Sequence, residues 1–313
     1  AEAMKSELTS DEKERINEKL TESTDAYEYY LKGNMFDNAG HTKDNILSAI
    51  SEYERAVILD PNFAEAHAQL GKMHAHMKWY RYDLSQKRIQ MSKTSIDQAI
   101  ALKPNNATVR VARGIYYYHG FREYGKALSE INRARELAPG NSLLHFYAGM
   151  IYRRLGDYDQ AIKTNKEALL SDPRSVLLMY NYAGSLVAVR NYKEALEIVK
   201  TSENLGAINV KVDHGIPTEF FISGDILNAL EALKHLNTPQ TPLHLLYYSR
   251  FAKKFDVIDE ILNNNINDFF EDVRFSYPRQ YYMGISALGK GEKQKAAIHF
   301  KNAIKVLAEK IDN

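Results

Sequence analysis

The chain has no cysteine and only one tryptophan, Trp79, in 313 residues. Without cysteine there are no disulfides and no thiolate chemistry, and this absence fits either redox compartment. Excess charge of one sign is also missing, since 41 Lys and Arg face 40 Asp and Glu. That balance argues against a broad face for nucleic acid or an anionic membrane. No apolar run approaches the roughly 18 residues needed to span a bilayer. No secretory leader is visible in the first residues. The expected compartment is the cytoplasm, with the periplasm as the alternative.

Chemistry-bearing motifs are missing as well. There is no Gly-rich phosphate loop and no G-x-S-x-G nucleophile turn. His74 and His76 flank Ala75, and residues two apart do not share a helix face. His67 and His74 are seven apart and could share one, but Glu65 is the only carboxylate close by in sequence, and a zinc site needs a fuller set. The remaining carboxylates are scattered. The expectation is no catalytic residue, no metal and no cofactor.

What is present is a pattern. Residues 142–173 read SLLHFYAGMIYRRLGDYDQAIKTNKEALLSDP. Leu144, Tyr147, Ala148, Ile151, Tyr152 and Leu155 recur at helical spacing, and so do Ala161, Ile162, Ala168 and Leu169. Gly156-Asp157 separates the two stretches, and Asp172-Pro173 ends the second, because proline disfavours a helical residue before it. Small residues at Gly149, Ala161 and Ala168 let the two backbones approach. The spacing predicts one antiparallel helical hairpin.

The hairpin recurs. Ala49, Ala56 and Pro61 repeat the seven-then-five spacing of Ala161, Ala168 and Pro173. Ser92, Ala99 and Pro104 do the same, as do Ala127, Ala134 and Pro139. Ala195 with Ser202, and Ala296 with Ala303, keep the first interval. Gly33, Gly71, Gly114, Gly149, Ala183 and Gly284 precede these sets. A period of about 34 residues with this pattern resembles the tetratricopeptide repeat. The resemblance is specific in the repeat ending at Pro173 and good from Ala26 to Asn204. It is weak from Leu205 to Tyr277 and good again to the end. It implies an all-α right-handed superhelix of about eight antiparallel helix pairs.

The organisation expected is an N-terminal linker helix over 1–22, repeats over 23–204, a divergent helical region over 205–277 and a last repeat over 278–313. Thr9-Ser10-Asp11-Glu12 is a capping box opening the linker helix, with Ile16 and Leu20 inward. Thr21–Gly33 (TESTDAYEYYLKG) resembles the entry to the repeat region of bacterial class III nucleotide cyclases and winged-helix regulators, through Ala26, Tyr27, Tyr30, Leu31 and Gly33. The prolines at 61, 104, 139 and 173 are 43, 35 and 34 apart, so the second repeat carries a nine-residue excess. Trp79, Tyr80 and Tyr82 fall in it, either packed as a helix extension or exposed as an aromatic loop for a partner. In the divergent region, Ile216-Pro217 and Gly224-Asp225 read as breaks and Thr238–Pro242 as a turn. Leu243–Lys254 and Asp256–Leu262 read as a further helix pair. Asn263–Asn267 reads as a C-cap or a loop.

In the tetratricopeptide architecture the first helix of each pair lines a concave face. Residues one turn from the inter-helix stripe face it: Val111, Ile115 and Tyr118; Phe146, Met150 and Arg153; Tyr180 and Val187. Arg110, Arg113 and Arg154 lie at the side. The expected groove of Arg110, Ile115, Tyr118, Phe146, Met150, Arg153 and Tyr180 suits a peptide or protein segment carrying a carboxylate. The competing expectation is that another part of the chain fills it, with Leu205 onward as the candidate. The Lys and Asn carboxylate clamp of chaperone-binding relatives is not matched, since Tyr30 and Asn34, Gln69, and Thr108 and Ala112 stand at those places. The expected function is a non-enzymatic protein-binding sensor or scaffold segment of a bacterial regulatory protein. The alternatives are a structural protein that self-associates, as in a homodimer, and a region controlling an attached cyclase-like or DNA-binding domain.

Overall fold

The computed structural model describes residues 19–206, 226–234, 241–271 and 276–312. The Thr9–Glu12 capping box, Ile16, the breaks at Pro217 and Gly224 and most of the Thr238–Pro242 turn lie outside them. The chain divides into two compact units, 1–171 and 172–313.

The first unit is four helix hairpins: α1 (Thr24–Asn38) with α2 (Lys43–Leu59), α3 (Ala64–Trp79) with α4 (Gln86–Leu102), α5 (Ala107–Ile115) with α6 (Tyr124–Leu137), and α7 (Ser142–Leu155) with α8 (Tyr158–Ser171). Side-chain oxygens start most of them. Ser23, Thr42, Ser85, Asn106 and Asn141 each accept a hydrogen bond from a backbone N–H of the first turn, satisfying a donor that has no helical partner. Gly156 closes α7 at φ +80°, a left-handed conformation that glycine adopts without strain.

The small-residue positions do what their spacing implies. Ala49, Ala56, Ala99, Ala127, Ala134, Ala161 and Ala168 are all buried. Opposite them a glycine lets the partner side chain lie on bare backbone. A Cβ built on Gly33 would stand 2.5 Å from Tyr53, and one on Gly71 would stand 2.7 Å from Ile96. Ser92, where the other repeats have alanine, donates its hydroxyl to the Gly71 carbonyl at 2.7 Å. Leu20 packs partly on the first core, with Tyr30, Tyr53, Phe63 and Met73.

A π-helix, Tyr116–Phe121, continues α5 and ends at Arg122 in the left-handed region. Its wider turn swings Tyr118 and His119 into the unit, where both are buried.

The second unit holds α9 (Val176–Ala188) with α10 (Tyr192–Glu203), then α11 (Ile226–Lys234), α12 (Thr241–Phe251) and α13 (Phe255–Asn264), and finally α14 (Arg279–Gly289) with α15 (Lys293–Asp312). α12 and α13 overlap the stretches Leu243–Lys254 and Asp256–Leu262 that the sequence reads as a helix pair. Asn265 caps α13, its amide donating to the Ile261 carbonyl at 2.7 Å. A short antiparallel hairpin, β1 (Phe269–Glu271) with β2 (Ser276–Pro278), was not expected and places Phe270 beside Tyr282 in the core. Within both units the fold class is all-α helix hairpins, as the repeat pattern implied.

Candidate functional site

The repeat glycines index equivalent positions on α1, α3, α5 and α7. One residue after each come Asn34, Lys72, Ile115 and Met150. Four after come Asp37, Ala75, Tyr118 and Arg153, and five after come Asn38, His76, His119 and Arg154. Offsets of three and four share a helix face, so these columns form one inner face of the first unit.

In the first three hairpins that face is filled by its own side chains. Asp37 accepts from Lys72 at 2.7 Å, and its other oxygen lies 3.3 Å from His41 Nε2. His41 Nδ1 is 2.9 Å from the Tyr80 hydroxyl, and the two rings stack. His76 Nδ1 lies 3.2 Å from His119 Nδ1. The His119 ring stacks on Trp79 at 4.5 Å with an interplanar angle of 11°. Trp79 packs against Tyr118, whose hydroxyl accepts from Arg154 Nε at 3.1 Å.

Burial sets the charges here. It pushes the His76 and His119 imidazoles well down, with the nearby Lys72 ammonium acting in the same direction. Burial also opposes ionisation of Asp37, but the Lys72 ammonium and the bonds from His41 and Lys72 outweigh it. The Asp37 carboxyl therefore sits well below the usual carboxylate range. Lys72 is desolvated, yet Asp37 holds its pKa up. His74, beside Arg88 at 3.0 Å, is pushed down to about 4 by burial and by that guanidinium.

The residues expected to line a groove divide accordingly. Ile115 and Tyr118 are fully buried among Trp79, Tyr124, Tyr147 and Met150, so the unit covers them itself. Arg110 braces the hairpin, donating to Glu130 at 3.0 Å and to the Pro104 carbonyl at 2.6 Å. Val111 is half-buried in the same core. Phe146, Met150 and Arg153 are half-buried on α7, where Leu143 is 41% exposed. Tyr180 and Val187 lie half-buried on α9 of the second unit, Tyr180 against Ala183 and Val199. Of the two readings of the aromatic excess, packing describes Trp79 and Tyr80, while Tyr82 is at the surface and donates to the His41 carbonyl at 3.2 Å.

Sequence reasoning missed Asp37, His41, Lys72 and His119. One signal was available, since His76 and His119 each stand five residues after a repeat glycine and so occupy the same column.

The family model described as tetratricopeptide repeat matches residues 146–202. Among curated proteins, anaphase-promoting complex subunit 3 of Schizosaccharomyces pombe is 30% identical over 148 residues, which is 47% of this chain and 21% of that protein. The chain thus spans about a fifth of the length of that relative. Among solved structures, a human IFIT1 dimer with m7Gppp-AAAA superposes with a TM-score of 0.56 at 17% identity, covering 90% of this chain and 72% of that one. A thermophilic tetratricopeptide protein of Thermus thermophilus gives 0.51 at 17% identity over 61% and 97%. A tetratricopeptide repeat protein of Parabacteroides merdae gives 0.50 at 18% over 93% and 98%. These identities show the fold alone. The fold is therefore that of tetratricopeptide-repeat arrays, and residues 146–202 match that repeat directly.

Proposed function

We propose that the chain is a non-enzymatic interaction module whose recognition surface lies on α7, at Leu143, Phe146, Met150 and Arg153. The observation that carries this reading is the spacing of a second apolar strip on that helix, outside its hairpin stripe. Its hairpin stripe, Leu144, Ala148 and Ile151, is buried. Leu143, Phe146 and Met150, three and four apart, make a second apolar strip, with Leu143 partly exposed and the other two half-buried. Arg153 and Arg154 follow in the last turn. An apolar strip ending at the Arg153 guanidinium suits an extended or helical segment with two apolar anchors and one carboxylate. The first three hairpins serve as a rigid, internally filled base for that helix.

Binding of an acidic-apolar peptide library to the whole chain tests this. Phe146→Ala and Arg153→Ala should each weaken the selected peptides by about 2 kcal/mol, which is about 30-fold. Neither should lower the melting temperature appreciably. Peptide affinities unchanged in both variants would rule out this surface. The Thr21–Gly33 resemblance supports placing the module in a bacterial regulatory protein, which the reading frame upstream of residue 1 tests directly.

A further inference from the structure

We propose that Asp37, His41 and His76 form a binding site for one divalent transition-metal ion of the zinc class. One ligand atom from each residue lies within 4.8 Å of the other two. Asp37 and His41 are already 3.3 Å apart. Tetrahedral zinc with bonds near 2.0–2.1 Å places its ligand atoms about 3.4 Å apart, so closure needs shifts on the order of 1 Å. The residue best placed to move is His41, which is exposed in the α1–α2 connection directly after Gly40 at φ +113°.

The surrounding bonds orient the rings as a metal requires. A ligating histidine ordinarily commits its second nitrogen to a partner, which fixes its tautomer. His76 Nδ1 is committed to His119 Nδ1, leaving His76 Nε2 as the free nitrogen. His41 Nδ1 is committed to the Tyr80 hydroxyl, leaving Nε2 toward Asp37. For both imidazoles to present lone pairs, His76 donates from Nδ1 to His119 and His41 donates from Nδ1 to Tyr80. Asp37 supplies one oxygen to the ion while the other stays on Lys72. A solvent molecule takes the fourth position on the open side of His41. Two imidazoles and one carboxylate select zinc-type ions over magnesium and calcium. The Lys72 ammonium opposes a second cation nearby, so it moderates affinity.

The ligands come from a helix end, a loop and a second helix, 39 residues apart at the extremes. Neither His67 nor His74, the pair weighed from the sequence, takes part.

The test uses the full chain, stripped by a chelator and titrated with zinc by calorimetry and by thermal shift, with cobalt as the spectroscopic probe. One ion should bind per chain and raise the melting temperature, and cobalt should show an intense tetrahedral visible spectrum. Magnesium and calcium should leave the chain unchanged. His41→Ala should keep its helical circular dichroism spectrum without metal, melt somewhat lower through the lost Asp37 and Tyr80 contacts, and lose the one-ion isotherm. Lys72→Met should bind zinc more tightly, and His299→Ala should bind as wild type. The assignment is overturned by the absence of saturable binding, by an isotherm retained unchanged in His41→Ala, or by a cobalt spectrum indistinguishable from the hydrated ion.

Discussion

Replacing Gly33 with alanine adds a single methyl group, and the structure fixes both the sign and the size of its effect. The new Cβ would stand 2.5 Å from Cε1, 2.7 Å from Cδ1 and 2.8 Å from Cζ of Tyr53. All three separations are far inside van der Waals contact. The Tyr53 ring has little room to retreat, because it is fully buried and its hydroxyl donates to Asn34 Oδ1 at 2.8 Å. Overpacking of this kind costs about 1–3 kcal/mol, and a rigid, anchored ring places it near the top of that range. Against it stands the helix preference of alanine over glycine, about 1 kcal/mol. The net expectation is a loss of about 2 kcal/mol. In a unit of this size that lowers the melting temperature by roughly 4–8 °C. Gly125→Ala in α6 is the paired control, since a Cβ there meets nothing within 4 Å. The same chemical change at that site should leave stability unchanged or raise it. Thermal melts of both variants by circular dichroism decide the matter. If Gly33→Ala melts at or above the wild-type temperature, the close helix approach assigned to the repeat glycines is wrong.

Other variants probe other contacts. Gly149→Leu puts four carbons at a buried position of α7 and should cost about 1–3 kcal/mol, read as a lower urea midpoint. Asn106→Ala removes the cap on Val109 N–H and the donor 2.7 Å from the buried Glu65 carboxylate. Losing the cap costs about 1 kcal/mol and under-satisfying Glu65 about 1–3 more, so the midpoint should fall while the denaturant slope holds. Asn106→Asp keeps the cap but faces Glu65 with a like charge, and it should be no better than alanine.

The fold was legible because its rule is local and repeated. A glycine on one helix, alanines on the next and a proline behind them recur at a fixed interval, and each marks a steric requirement that only small residues meet. Ala161 and Ala168 therefore disclose the packing of α7 on α8 from spacing alone. The inner face was only half legible. Column arithmetic picked Ile115, Tyr118, Met150 and Arg153, but it treated every repeat as open. Whether a column faces solvent depends on what the other elements place over it. Here Trp79 and the π turn cover Ile115 and Tyr118, and a π turn leaves no trace in a spacing tuned to 3.6 residues. His41 was beyond reach for a different reason. It belongs to a connecting segment, whose direction is set by Gly40 and by Tyr80 rather than by a period. The β1–β2 hairpin escaped because its strands are three residues long, too short for alternation to stand out.

The Asp37–Lys72 pair also bears on how the array comes apart. Repeat arrays ordinarily unravel from an end, each unit leaving without disturbing the one after next. Here the departure of α1 must also break the largely buried Asp37–Lys72 ion pair across that seam, in addition to the packing. His76 with His119, and Tyr118 with Arg154, repeat the arrangement at the following two seams. The terminal hairpin is thereby latched rather than frayed. Amide protons near the end of α1 should exchange as slowly as those in the middle of α3, and shortened chains starting at α3 should fail to fold instead of folding as smaller arrays.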